Sequence, residues 1–276
     1  MKNCWLDGKT FIITGATSGL GKGLAEKLIR NHGCTVIGIG RSESKFNAFK
    51  EDLGELSQLL IPTPFDVTDN EAWLRLADKL EAEGIYPDGL INCAGALPRF
   101  RKALNTPIED TEWILKVDYL ACVNAINALY PTLSRKNYPA IINVSSAAAL
   151  ATITGTSIYS AAKSALKSYT EALTYELKGK AYVSLVMPGF ARTEIFRDQN
   201  TAIEDNKLFM MMSMPADKMI NKIYRGIKKR RTRMVLGVDA KAMSFFYRLC
   251  PKTTMYLISK ILKKADVKLF EEVFTD

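Results

Sequence analysis

The chain has 276 residues, 47% of them hydrophobic, with a formal charge of +9, which supplies one sizeable core and excludes general disorder. No uninterrupted apolar run is long enough to span a bilayer, and the opening MKNCWLDGKT has no apolar stretch behind its charges, so a cytoplasmic protein is expected. Five scattered cysteines without C-x-x-C spacing and a single histidine, His32, argue against a disulfide framework, a metal site and histidine catalysis.

The first β-branched run, TFIIT at 10–14, reads as a strand and leads through TGATSGLG into the helical pattern LGKGLAEKLIRN. Gly15, Gly19 and Gly21 let the backbone turn tightly and approach a pyrophosphate, and the helix behind them offers unpaired N–H groups and its positive dipole end. Thr17, Ser18 and Leu20 complete the candidate phosphate turn. The next strand, TVIGIG at 35–40, ends on Gly40 and Arg41. An acid near that position would bind the adenosine ribose of NAD, whereas a guanidinium suits the 2′-phosphate of NADP(H), so NADP(H) is the expected cofactor.

Strand-like LLIPTPF (59–65), DGLINC (88–93), AIINVSS (140–146) and AYVSLVM (181–187) follow. They alternate with the helical EAWLRLADKLEAEG, DTEWILKVDYLACVNAINALYPTL and YSAAKSALKSYTEALTYELKG. This alternation predicts an α/β fold, a doubly wound parallel sheet of about seven strands with helices on both faces. In the last helix Tyr159 and Lys163 stand four residues apart and so share a face. A phenol is a poor proton donor or acceptor near neutrality unless a cation stabilises its phenolate, and Lys163 can be that cation.

TGATSGLG, NCAG (92–95), NVSS (143–146), YSAAK (159–163) and PGFART (188–193) occur in the order and spacing of the short-chain dehydrogenase/reductase family, which the chain resembles from about residue 6 to 236. The resemblance implies a Rossmann-type fold, an NADP(H)-dependent oxidoreductase and a homo-oligomer. It assigns Tyr159 as the proton-transferring group, Lys163 to the phenol and the nicotinamide ribose, and Ser146 to the substrate oxygen, with Ser145 facing the other way along a regular strand. It also places Asn92 and Gly95 beside the cofactor, Asp66 and Val67 at the adenine, and Thr193 at the nicotinamide amide. Two positions depart from the family pattern. Cys93 stands where Asn is frequent, and Asp118 occupies the place of the fourth active-site residue, usually Asn.

Beyond PGFART, the segment near 195–218 is expected to close over substrate. Its KLFMMMSMP (207–215) suits a mobile apolar lid for a lipid- or steroid-like ketone or secondary alcohol, or ordinary core packing. Residues 222–268 hold fourteen Lys and Arg against two acids. Residues 1–237 are read as the catalytic domain and 238–276 as a basic amphipathic helical extension. Through residues 222–268 the apolar side chains, among them Phe245, Phe246, Leu249, Ile258 and Leu262, would face an anionic membrane surface, pack on the body or a second subunit, or leave the cations to an acidic carrier protein. Nothing indicates nucleic acid. The alternative function is a catalytically weak NADP(H)-binding scaffold at a membrane surface, for which Asp118 is the one feature.

Overall fold

A computed structural model describes residues 4–193, 195, 213–264 and 270–274. The elements run β1 (Thr10–Thr14), α1 (Gly19–His32), β2 (Thr35–Gly40), α2 (Glu43–Leu53), β3 (Leu60–Pro64), α3 (Asn70–Ala82), β4 (Gly89–Asn92) and α4 (Ile108–Leu115). A π-helical turn (Lys116–Leu120) joins α4 to α5 (Ala121–Leu133), followed by β5 (Ala140–Val144), α6 (Ser157–Glu176) and β6 (Tyr182–Pro188). Then come the short β7 (Ala191–Arg192) and β8 (Met214–Pro215), α7 (Ala216–Lys228), β9 (Arg233–Leu236), α8 (Val238–Leu249), α9 (Pro251–Lys264) and α10 (Glu271–Phe274).

Seven strands form one sheet in the order β3-β2-β1-β4-β5-β6-β9, every pair parallel. This is the doubly wound α/β arrangement expected from the alternation of strand and helix. Because side chains alternate across a strand, β1 sends Phe11 and Ile13 into one core and Ile12 into the other. The first core joins Leu24, Leu28 and Ile29 of α1, Phe46 and Phe49 of α2, and Ile220, Ile223 and Ile227 of α7. The second joins Trp73, Leu76 and Leu80 of α3 to Ile126, Leu129 and Leu133 of α5. The strand order reverses between β1 and β4, and a crevice opens there beyond the carboxyl ends of the strands.

One element, α2, is absent from the sequence reading. Helix α2 forms behind Ser42, whose hydroxyl accepts a hydrogen bond from the Lys45 N–H. Residues 222–236 of the basic stretch belong to α7 and β9. Their apolar side is spent in the first core through Ile223, Ile227 and Met234, and RMVL is the seventh strand, Leu185 of β6 standing opposite Arg233. The stretch 196–212, and with it most of the segment expected to form a lid, lies outside the described residues. No helix among the described residues is long and apolar enough to cross a membrane.

A third apolar cluster brings the chain's end back to its middle. Leu262, Phe270 and Val273 pack with Phe100 and Ile153, and Met243 and Ile258 lie against them. Asp239 fixes the start of α8, its carboxylate accepting the Phe190 N–H at 2.8 Å.

Candidate active site

The site lies at the carboxyl ends of β1, β4, β5 and β6. Thr14, last in β1, ties two strands together, its hydroxyl oxygen accepting both the Cys93 and the Ala94 N–H at 2.9 Å. The chain then turns at Gly15, whose φ of +68° favours glycine. A Cβ on Gly21 would collide with the Gly15 carbonyl, so α1 begins as close to the turn as backbone allows. Ser18 stands at the N-cap without a side-chain hydrogen bond, and no acid occupies the first turn. The N–H groups there are left available to an anion.

Arg41 is exposed at the end of β2, its Nη1 3.8 Å from Asp66 Oδ2. Asp66 spends its other oxygen on the Thr68 N–H and hydroxyl. A Cβ on Gly40 would approach Thr17 to 2.9 Å, so an acid at position 40 would require Thr17 to move. Val67 lies next to Asp66, its carbonyl accepting the Trp73 indole N–H. Thr17, Gly40, Arg41, Asp66 and Val67 thus stand at or just beyond the carboxyl ends of β1, β2 and β3. These residues fit a dinucleotide with a 2′-phosphate, since glycine and a cation stand where a carboxylate would repel it.

At the chemical end, β5 terminates in two serines with opposite duties. Ser145 is buried and donates to the Lys163 carbonyl at 2.8 Å. Ser146 caps the turn Ala147–Ala149, accepting the Ala148 N–H at 3.1 Å, and lines the same cleft as Tyr159. Tyr159 and Lys163 occupy the first turns of α6, with the Lys163 Nζ 5.8 Å from the Tyr159 ring centre.

Lys163 is 3% exposed and donates to the Val144 carbonyl at 3.4 Å. Its Nζ lies 3.5 Å from Oδ1 of Asp118, which is fully buried in the π-helical turn. Such a turn frequently marks a functional site, because it re-aims side chains within an otherwise regular helix. The same Asp118 oxygen accepts the Ala96 N–H at 2.8 Å, while Oδ2 has no hydrogen-bond partner among the described residues. Burial pushes the Asp118 carboxyl above its ordinary range, opposed by Lys163 and by the Ala96 N–H. Burial also works against the Lys163 charge, but Asp118 and Tyr159 beside it more than offset this and carry its pKa up to about 12. For Tyr159, burial raises the phenol pKa, Lys163 lowers it, Asp118 raises it and Ser146 lowers it.

The remaining expected residues fall into two groups. Gly95, Leu20, Thr193 and Ser146 line the cleft with Tyr159 and Lys163, and Thr193 stands across from Gly19. Asn92 sits behind the wall. It is 1% exposed, and its amide donates to Asn143, which in turn donates to Thr170. The Asn92 side chain therefore braces β4 against β5 and α6. Residues that the sequence did not single out finish the cleft: Leu97, Phe100, Ile153, Phe190 and, from the extension, Met243. Burial pushes the Cys93 thiol up to about 12, which keeps it protonated. His32 lies at the far end of α1, bonded through its two ring nitrogens to Asp7 and to the Tyr224 hydroxyl.

The short chain dehydrogenase family description matches residues 9–204. A serine 3-dehydrogenase of Rhizobium radiobacter is 30% identical over 78% of this chain and 86% of its own. An NADP-dependent 3-hydroxy acid dehydrogenase of Schizosaccharomyces pombe is 31% identical over 68% of this chain and 74% of its own. Among solved structures, a short chain dehydrogenase from Burkholderia cenocepacia in complex with NADP superposes with a TM-score of 0.75 at 25% identity, covering 92% of this chain and 98% of that one.

Proposed function

We propose, from the premise that this chain belongs to the short-chain dehydrogenase family and is an oxidoreductase using a nicotinamide dinucleotide, that it interconverts an apolar ketone and its secondary alcohol with NADP(H). The observation carrying the substrate class is the cleft wall. Leu97, Phe100, Ile153, Phe190 and Met243 surround Tyr159 and Ser146, and Lys163 is the only cation among the described lining residues. Among the described lining residues a substrate carboxylate would meet no cation but Lys163, which Asp118 already pairs. The cofactor choice rests on Gly40 and Arg41, and the NADP named for two of the similar proteins agrees with it.

Bound in the crevice, the nicotinamide supplies or accepts the hydride. Ser146 and Tyr159 hydrogen-bond the substrate oxygen, and Tyr159 gives it a proton on reduction or removes one on oxidation. Lys163 stabilises the phenolate left on Tyr159. Asp118 acts one step away, as a positioning residue that holds Lys163 in place and charged. Thr193 would hold the nicotinamide amide, and Asp66 and Val67 the adenine. Exposed Trp113, Leu120 and Tyr175 on the long helices support a homo-oligomer.

A second reading follows the relatives' names: serine or another 3-hydroxy acid as substrate. Initial rates with NADPH and ketones of rising apolar size, set against NADP+ with serine and 3-hydroxybutyrate, separate the two. The proposal expects kcat/KM to rise with apolar size and Tyr159→Phe to remove turnover. A preference of tenfold or more for the hydroxy acids would overturn it.

A further inference from the structure

The extension presents two faces, and only one is used by the body. Inward, Ala240 and Leu262 are buried, Met243 and Ile258 join the third cluster, and Asp239 holds the Phe190 N–H. Outward, Phe245 and Phe246 are 60% and 56% exposed, Leu249 64%, Leu257 50% and Ile261 52%. The Phe245 and Phe246 rings pack edge to face at 5.4 Å. Lys241, Arg248, Lys252, Lys260, Lys263 and Lys264 are exposed on the same two helices, and their one acid, Asp239, is turned inward.

We propose that α8 and α9 dock the protein on an anionic lipid surface, lying in its plane with the exposed phenylalanines and leucines at the acyl boundary and the cations among the headgroups. Large apolar side chains interleaved with cations and no exposed acid suit that boundary. A second copy is a poorer occupant. A two-fold interface would bring this face against itself and set six cations of one protomer against six of the other. The helices are too short to span, so docking leaves the enzyme on the surface. Met243 shares α8 with the exposed phenylalanines and lines the cleft, so docking places the cleft wall beside the lipid. The inference goes beyond the substrate reading and does not depend on turnover.

Flotation of the full chain with phosphatidylcholine vesicles, pure or containing about a third phosphatidylglycerol, tests it. Each cation near the surface contributes up to about fivefold, so partitioning is expected to be at least tenfold stronger on the anionic vesicles and to weaken at least tenfold in about 1 M salt. Joint Phe245→Ser and Phe246→Ser should weaken partitioning about tenfold or more with unchanged NADPH affinity and thermal unfolding. Joint Lys252→Glu and Lys260→Glu should remove the anionic preference. Equal partitioning on both vesicles, or parent-like partitioning of both joint variants, overturns the proposal. So does binding only to an acidic protein, or an oligomer in the parent that the phenylalanine substitutions dissolve without affecting flotation.

Discussion

Asp118 Oδ1 and Lys163 Nζ stand 3.5 Å apart in a fully buried setting. A Cβ added at Gly95 would lie 3.2 Å from both atoms. The pair sets the field in which the Tyr159 phenol titrates, and its tight surroundings make that field testable.

Asp118→Asn keeps the shape of the side chain and removes its charge. Burial and Asp118 both raise the Tyr159 pKa while Lys163 lowers it, so loss of the carboxylate lets the Lys163 field act unopposed. Alcohol oxidation needs the phenolate. The alkaline-rising limb of kcat/KM against pH should therefore move to lower pH in Asp118→Asn, with turnover retained. An unmoved limb would mean that Asp118 carries no charge in the working enzyme.

Asp118→Ala differs from Asp118→Asn because it leaves the buried Lys163 with the Val144 carbonyl alone and no side-chain oxygen at position 118. Breaking a buried pair in this way costs roughly 3 to 5 kcal/mol. The expected outcome is a clear fall in Tm for Asp118→Ala and a much smaller one for Asp118→Asn, read by thermal unfolding of the cofactor-free protein.

Gly95→Ala should act on catalysis more than on folding. Its methyl group would press on both charged atoms, shifting Lys163 relative to Tyr159, and small displacements of catalytic groups cost up to about 100-fold. A fall in kcat of roughly 10- to 100-fold with little change in Tm is expected. Equal losses in kcat and stability would point to general misfolding.

Arg41→Ala should weaken NADPH far more than NADH, because a hydrogen bond to a charged group contributes about 1.5 to 3 kcal/mol. The ratio of kcat/KM for the two cofactors should narrow by about 10- to 100-fold. An unchanged ratio would remove Arg41 from the phosphate site.

Asp239 links the extension to the cleft and gives stability a pH dependence. Burial raises its pKa above the ordinary 3.8, against the hydrogen bond from the Phe190 N–H. A raised folded-state pKa means that its contribution is complete below the unfolded value and declines as pH rises through the folded one. Relative to Asp239→Asn, the parent should therefore lose stability from about pH 4 upward, seen as a changing difference in denaturation midpoints. A constant difference across that range would show that Asp239 titrates normally.

The sequence by itself determined those features that depend on local spacing. Short β-branched runs and apolar helical faces specify which segments are strands and helices, and their alternation predicts parallel pairing. Four-residue spacing puts Tyr159 and Lys163 on one face, and strand alternation separates the duties of Ser145 and Ser146 before any contact is seen. What only the tertiary structure decided depends on partners far apart in the chain. The sequence marks Asp118 as a departure from a family pattern. Its burial, its turn of π helix and its 3.5 Å approach to Lys163 arise where α4 and that turn pack against α6. Thr14 carries no local sign that its hydroxyl clasps two N–H groups of the loop after β4. The basic segment shows the same limit. Its composition is uniform, yet α7 and β9 spend their apolar side in the core while α8 and α9 keep an exposed one. Spacing shows which side chains share a face, but burial depends on what covers that face.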